Sequence, residues 1–285
     1  MEFTDINHDL ERLLKENLDD KVWSWLMAKL KLITASNATK ELYLTYTLLA
    51  SKVDKRDSLK YTSNNKVLEN YLREQSAGLL EVSRIYLLSK VLWNDEPFFR
   101  SKVANLIQVA DTSELETFLK FLVLLPNAEN YKNSAVEALR TNISTVFDAI
   151  SLNNPYPGDY FNDQQWNQMY LKAAFMQRDL SSIMDIDRRA NSDLARIISD
   201  YAHERWAASR HVDPLFWRPV TKFLNDNLLK DMERLLNSDD PRENGAGALC
   251  CYFSDDKKAK NLLKKYPELE DQVASGKITW ENLKH

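Results

Sequence analysis

Apolar residues recur at helical spacing along almost the whole chain. Trp23, Leu26, Leu30 and Ile33 fall on one helix face, and Leu42, Tyr46, Leu49 and Val53 on the next. Leu79, Leu80, Ile85, Leu88 and Leu92 continue the pattern. Phe118, Phe121, Leu122 and Leu125 follow a start signal at Asp111-Thr112-Ser113, and then come Ala135, Leu139 and Ile143, with Phe147 and Ile150 beyond. No stretch alternates with period two for long enough to predict a strand. The pattern predicts an all-α chain.

Local chemistry marks where some of these helices begin and end. Asn153-Asn154-Pro155-Tyr156-Pro157-Gly158-Asp159-Tyr160 reads as a break. Asn162 then caps a helix, with Gln165 placed to complete a capping box, and Trp166, Met169, Tyr170 and Ala173 form its apolar stripe. Asp240-Pro241-Arg242-Glu243 offers a cap, a proline at the first helical position and a glutamate at the third. Pro267 opens a short helix ending near Gly276, and Trp280 closes the chain as an apolar pin. Small residues recur near Ala135, Ala173, Ala207-Ala208 and Ala246, a spacing of roughly 35–39 residues that suits paired-helix repeats. These features predict an irregular α-solenoid of antiparallel helix pairs, a HEAT-like helical repeat. Its N-terminal helical region would cover 1–150 and its C-terminal repeat region 151–285, in one continuous domain.

Composition narrows the function classes. Only 5 glycines among 285 residues argue against a β-rich or dinucleotide-binding fold, which needs glycine for tight turns and phosphate loops. The formal net charge of −4 gives no basic footprint for nucleic acid. The two cysteines, Cys250 and Cys251, are adjacent, a separation too short for a relaxed disulfide, so both read as buried thiols. Met1-Glu2-Phe3-Thr4-Asp5 lacks the apolar core of a signal peptide, and the longest apolar run, Phe121 to Leu125, stops at Pro126. A cytoplasmic protein without a transmembrane segment is expected.

One stretch carries unusual chemistry. DRRANSDLARIISDYAHERWAASR, residues 187–210, reads as a single long helix. Leu194, Ile197, Ile198, Tyr201 and Ala208 line its apolar face, and Arg205 falls on the same stripe. A guanidinium taken from water needs a carboxylate, a phosphate or several carbonyls around it. Arg205 is therefore expected either to join an ion pair, with Asp187, Glu204 or a carboxylate elsewhere in the chain, or to hold an anionic ligand. Asp193, Arg196, Asp200 and Glu204 alternate in sign at helical steps and read as a solvated face. His203-Glu204 starts like a zinc motif, but Ala207 stands where the second histidine belongs, so no metal site is expected and His203 reads as an edge residue.

A family likeness lies in Trp166-Asn167-Gln168-Met169-x-Leu171-Lys172, Asp187-Arg188-Arg189-x-Asn191-x-x-Leu194-Ala195, Tyr201-Ala202-x-Glu204-Arg205-Trp206-Ala207-Ala208-x-Arg210 and Trp217-Arg218. These strings resemble the EboA family of bacteria, as does the ending Gly276-Lys277-Ile278-Thr279-Trp280-x-x-Leu283. The likeness is strongest over 160–285; over 1–150 only helical character is recognisable. The resemblance implies a component of a gene cluster that also encodes a UbiA-type prenyltransferase and several enzyme-like proteins, associated with making or exporting a secondary metabolite. It carries no reaction and no cofactor for this component. At Arg242-Glu243-Asn244-Gly245-Ala246-Gly247 the sequence departs from the arginine- and alanine-rich helix the family leads one to expect, and its glycines predict a looser helix.

Two function classes compete. The first is a non-catalytic accessory protein that binds an anionic metabolite or another product of the cluster through an arginine-rich helix groove. Its candidate ligand-binding residues are Asn167, Lys172, Arg188, Asn191, Tyr201, Glu204, Arg205, Arg210 and Trp217. The second is an all-α enzyme acting on a prenyl or phosphorylated substrate. Its motifs would be Asp239-Asp240-Pro241-Arg242-Glu243 and the stretch from Asn225 to Glu233. Leu229 replaces the hydroxyl ligand there, the motifs come in the wrong order, and Pro241 makes the first a helix start.

Overall fold

The computed structural model describes Phe3 and residues 6–54, 59–61 and 65–283; of the Met1–Asp5 stretch only Phe3 is among them. The described residues form α-helices and short 3-10 turns, with no strand. The chain divides into two compact units, Met1–Tyr160 and Phe161–His285. The first holds α1 (Ile6–Asn17), α2 (Asp20–Ser36), α3 (Thr39–Leu48), α4 (Lys66–Glu74), α5 (Leu79–Asn94), α6 (Glu96–Ala104), α7 (Leu106–Val109), α8 (Thr112–Lys120), α9 (Lys132–Ala138), α10 (Ser144–Ser151) and α11 (Tyr156–Tyr160). The second holds α12 (Asp163–Phe175), α13 (Ile186–Arg189), α14 (Ser192–Ala207), α15 (Asp226–Leu236), α16 (Pro241–Phe253), α17 (Lys257–Leu263) and α18 (Pro267–Ala274). A 3-10 segment, Pro214–Phe223, stands between α14 and α15.

In the first unit α5 is the central helix. Its sequence LLEVSRIYLLSKVLW is apolar nearly all round, and a helix of that kind must be covered on every side. Helices α1, α2, α6 and α8 pack against it. The helix nonetheless carries a buried charge, Arg84, 1% exposed. Its guanidinium stands 3.7 Å from the carboxylate of Glu114, donates to the Tyr46 carbonyl at 3.3 Å and lies over the Tyr46 ring. Glu114 also closes a capping box with Asp111 at the start of α8, where the sequence places a helix start. The apolar series Ala135, Leu139, Ile143 does not share one helix. The chain leaves α9 after Ala138, and Ile143 is the exposed residue just before α10. The break at 153–160 contains a left-handed Asn153 and then winds the single short helix α11.

In the second unit the Asn162–Gln165 capping box forms, and Trp166, Met169, Tyr170 and Ala173 are buried as the stripe predicts. The stretch 187–210 is not one helix. Ala190 and Asn191 adopt extended backbone between α13 and α14, and the Asn191 side chain caps α14 by accepting from the Leu194 N–H at 2.8 Å. The reason is local: Asn-Ser-Asp is a cap sequence, and a cap starts a new helix instead of prolonging the old one. The solvated face of α14 is as expected, with Asp193, Arg196, Asp200 and Glu204 all exposed and Arg196 bonded to Asp200 at 2.9 Å.

Helix α16 is the core of the second unit. It packs on the 3-10 segment, α15, α17 and α18, and every residue from Gly245 to Cys251 is buried. Its glycines do not loosen it. A Cβ on Gly245 would come 2.8 Å from Leu283 Cδ2, and one on Gly247 would come 3.0 Å from Leu235 Cβ and 3.3 Å from the Met232 carbonyl. Glycine here lets α15 and the chain end approach the helix backbone. Asp240 caps α16 with Pro241 in its first turn. Cys250 and Cys251 are both free, buried thiols, raised by that burial, Cys251 to about 12.

Candidate ligand cleft

The C-terminal turn of α14 and the loop that follows it open onto a cleft of 680 Å³. Phe216 makes part of its apolar wall. It is stacked on Tyr170 at 5.5 Å between ring centres and met edge-on by Tyr201 at 5.2 Å. Burial behind this wall raises the Tyr170 hydroxyl well above its ordinary value. The polar part of the lining comes from separate segments: Arg178 after α12, Arg205 on α14, His211 in the loop and Arg242 on α16.

Three aspartates also face the cleft, and each already serves the backbone. Asp179 accepts from the Ser181 N–H, Asp213 from the Leu215 N–H and Asp240 from the Arg242 N–H, each as a helix cap. Asp240 also takes the Arg242 guanidinium at 3.0 Å, and this bond holds its carboxyl below the usual range. Arg178 donates to the Met176 carbonyl at 3.1 Å. Arg205 differs from Arg242 in making no ion pair with a carboxylate among the described residues. Its Nε and Nη2 both donate to the His211 carbonyl, at 3.2 and 3.0 Å. The guanidinium on the apolar stripe therefore ties down the return of its own chain, and among the described residues its charge is met by a carbonyl dipole. Asp187, a carboxylate the sequence offers it, is bidentate to Arg218 at 2.9 and 2.7 Å.

Of the nine residues singled out from the sequence, Tyr201 and Arg205 line this cleft. The others are elsewhere. Asn167 and Asn191 exchange amide hydrogen bonds at 3.1 and 2.9 Å, clamping α12 to the start of α14. Arg188 is paired with Asp185 at 2.7 Å. Lys172 is half-buried on α12, and desolvation lowers its pKa. Glu204 and Arg210 are exposed, and Trp217 is fully buried in the core. Sequence reasoning missed Arg178, His211 and Arg242. Arg242 was visible as part of a helix start, and Arg178 follows the end of a predicted helix. Neither carries a periodic signal that ties it to Arg205.

Within the stretches of the enzyme reading, some side chains serve as caps and others in ion pairs or hydrogen bonds. Asn225 caps α15, Asp240 caps α16, and Asp226 is bonded to Lys258 at 2.6 Å. Among the described residues no group of three or more His, Cys, Asp or Glu is placed to hold a metal ion. Nor is any helix of the described residues long and apolar enough to cross a membrane.

No curated protein and no solved structure matches the chain. A family model does: the one described as "Metabolite traffic protein EboA" matches residues 6–221. The match takes in the whole of α1–α14, including the first unit where the sequence strings gave only helical character, and it ends within the 3-10 segment. Gly276 to Leu283 lie outside it. Extending over most of the sequence and through most of the cleft lining, this match makes the chain a member of the EboA family.

Proposed function

We propose that the protein is a cytoplasmic, non-catalytic accessory of secondary-metabolite traffic that holds an anionic metabolite in the cleft around Arg205. The observation that carries this reading is the pairing, in one cleft of 680 Å³, of an aromatic wall with an arginine that makes no ion pair among the described residues. An apolar wall with a few fixed polar groups is the usual make-up of a small-molecule site. A carboxylate or phosphate of the ligand would complete Arg205, with Arg178, His211 and Arg242 near at hand, and its apolar body would lie on Tyr201 and Phe216. The family description, a metabolite traffic protein, fits binding without chemistry. Helices α15 to α18 pack each on its neighbour, which supports a helical-repeat reading of the second unit.

The test is to purify the full chain from its native host and identify retained small molecules by mass spectrometry. Arg205→Ala should weaken retention about tenfold, the usual effect of losing one charge-assisted hydrogen bond. Tyr201→Leu should weaken it as well, while Arg188→Ala and Arg210→Ala should not. Retention of the same metabolite at the same level by an Arg205→Ala/Arg242→Ala variant would remove the cleft from the function.

A further inference from the structure

Helices α14 and α15 line a second, open hollow of 670 Å³ that shares no residue with the cleft of Arg205. Ser199, His203 and Trp206 come from α14, and Lys230, Asp231 and Arg234 from α15. Asp231 is 3% exposed, a carboxylate that cannot stay charged in such a place without partners. It has two. The Ser199 hydroxyl donates to Oδ2 at 2.6 Å, and His203 Nε2 is 2.6 Å from Oδ1. This fixes how the imidazole is turned, because the bond made by one ring nitrogen sets the role of the other. His203 lines the hollow with its side chain 60% exposed. The edge histidine of the sequence reading is thus an oriented one.

Two cations share the hollow with this histidine. Lys230 and Arg234 stand one helical turn apart on α15, a like-charge spacing that destabilises a helix. Neither makes an ion pair among the described residues. The carboxylates around them are engaged: Asp200 with Arg196 at 2.9 Å, Asp226 with Lys258 at 2.6 Å and Glu233 with Lys265 at 3.8 Å. Arg234 is also held in place. Its guanidinium lies 4.2 Å over the Trp206 ring, and Trp206 stacks at 5.6 Å on the buried Trp217. A cation anchored through this column to the core loses little freedom when it binds.

We propose that this hollow is a phosphate-group site. Lys230 and Arg234 hold the oxyanion of a small, soluble phosphorylated metabolite, and His203, oriented by Asp231 as a positioning residue, lines the site beside them. A phosphate dianion accepts several charge-assisted hydrogen bonds at once and relieves the repulsion between Lys230 and Arg234. A site larger than phosphate alone leaves room for the rest of the molecule.

The chain has 4 histidines, so their ring-proton NMR signals can be followed one by one in the intact protein. His211 lines the other cleft and serves as an internal reference. Inorganic phosphate and pyrophosphate are titrated at constant ionic strength, with chloride as the balancing anion. The expected result is a saturable shift of the His203 signal, at lower concentration for pyrophosphate. Lys230→Ala and Arg234→Ala, both at exposed positions, should each weaken it about tenfold while the chain still melts cooperatively. A His203 shift that does not saturate, or that is the same in the Lys230→Ala/Arg234→Ala variant, overturns the proposal. So does a shift confined to His211, which would give phosphate to the Arg205 cleft instead.

Discussion

At Arg84 the first unit buries a guanidinium among apolar neighbours, and Glu114 answers it from α8 at 3.7 Å. The Glu114 Oε1 atom has no hydrogen bond of its own, so its partnership with Arg84 is through charge. Removing one member of a buried pair leaves the other charge stranded, at about 3 kcal/mol or more. Glu114→Gln should therefore lower the urea midpoint sharply, and Arg84→Met added to it should restore part of the loss. Equal and additive losses in the two single variants would show the residues to be uncoupled. A different carboxylate, Glu11, contributes to acid sensitivity. Glu11 accepts from Lys15 at 2.8 Å and Lys90 at 3.0 Å, and chiefly the bond with Lys15 holds its pKa at about 2, below its ordinary 4.5. Its folded pKa is depressed, so its contribution is whole above pH 4.5 and is lost as the pH falls toward 2. Water screens a partly exposed pair, which limits the effect to about 1 kcal/mol. Urea midpoints at pH 5 and pH 2.5 should differ less in Glu11→Gln than in the wild type.

At the scale of the element, the two glycines of α16 invite opposite outcomes. Alanine is the better helix former by about 1 kcal/mol, so either Gly→Ala change gains something in propensity. A new Cβ at Gly245 presses chiefly on the methyl ends of Leu283 and Ile278, which can turn aside. One at Gly247 meets the Leu235 Cβ and the Met232 carbonyl, and these can move only with α15 itself. Gly245→Ala should be close to neutral, and Gly247→Ala should destabilise by roughly 1–3 kcal/mol, read from thermal melts of the two variants. The same helix shows what a sequence can and cannot reveal. Its cap and its proline start were legible because those signals act within four residues. The purpose of its glycines was not, since the atoms they make room for come from α15 and the chain end. Asn191 and Arg205 teach the same lesson. The apolar period of α14 was legible, yet Asn191 was hidden within it although a cap overrides periodicity. Arg205 was expected to meet a carboxylate or an anionic ligand; the partner it has among the described residues is the His211 carbonyl, which has no letter in the sequence. Arg84 was missed because a single arginine within a long apolar run interrupts no pattern.

The whole chain joins two units, and the family match and the architecture divide it differently. The match ends at Thr221, but the second unit is organised around α16, which begins at Pro241. Phe216, Trp217 and Val220 of the 3-10 segment are buried, the segment packs on α16, and the Cys250 thiol donates to the Trp217 carbonyl at 3.4 Å. Uncovering three large side chains costs about 1.5–3 kcal/mol apiece, comparable in sum with the entire stability of a domain of this size. A chain truncated to 1–221 should thus keep a folded first unit and lose the second. In hydrogen exchange, amides of α5 should stay protected while those of α14 exchange at the rate of an unfolded segment. Residues 161–285 alone retain α12 to α18 with the cleft and the hollow beside α15, and they should melt cooperatively. Protection of α14 in the 1–221 chain would mean that the matched residues carry their own core, and that α15 to α18 are additions to it. Its loss would make Arg242 and α16 as much a part of the cleft as Tyr201 and Arg205, because the wall that bears Phe216 stands only where α16 supports it.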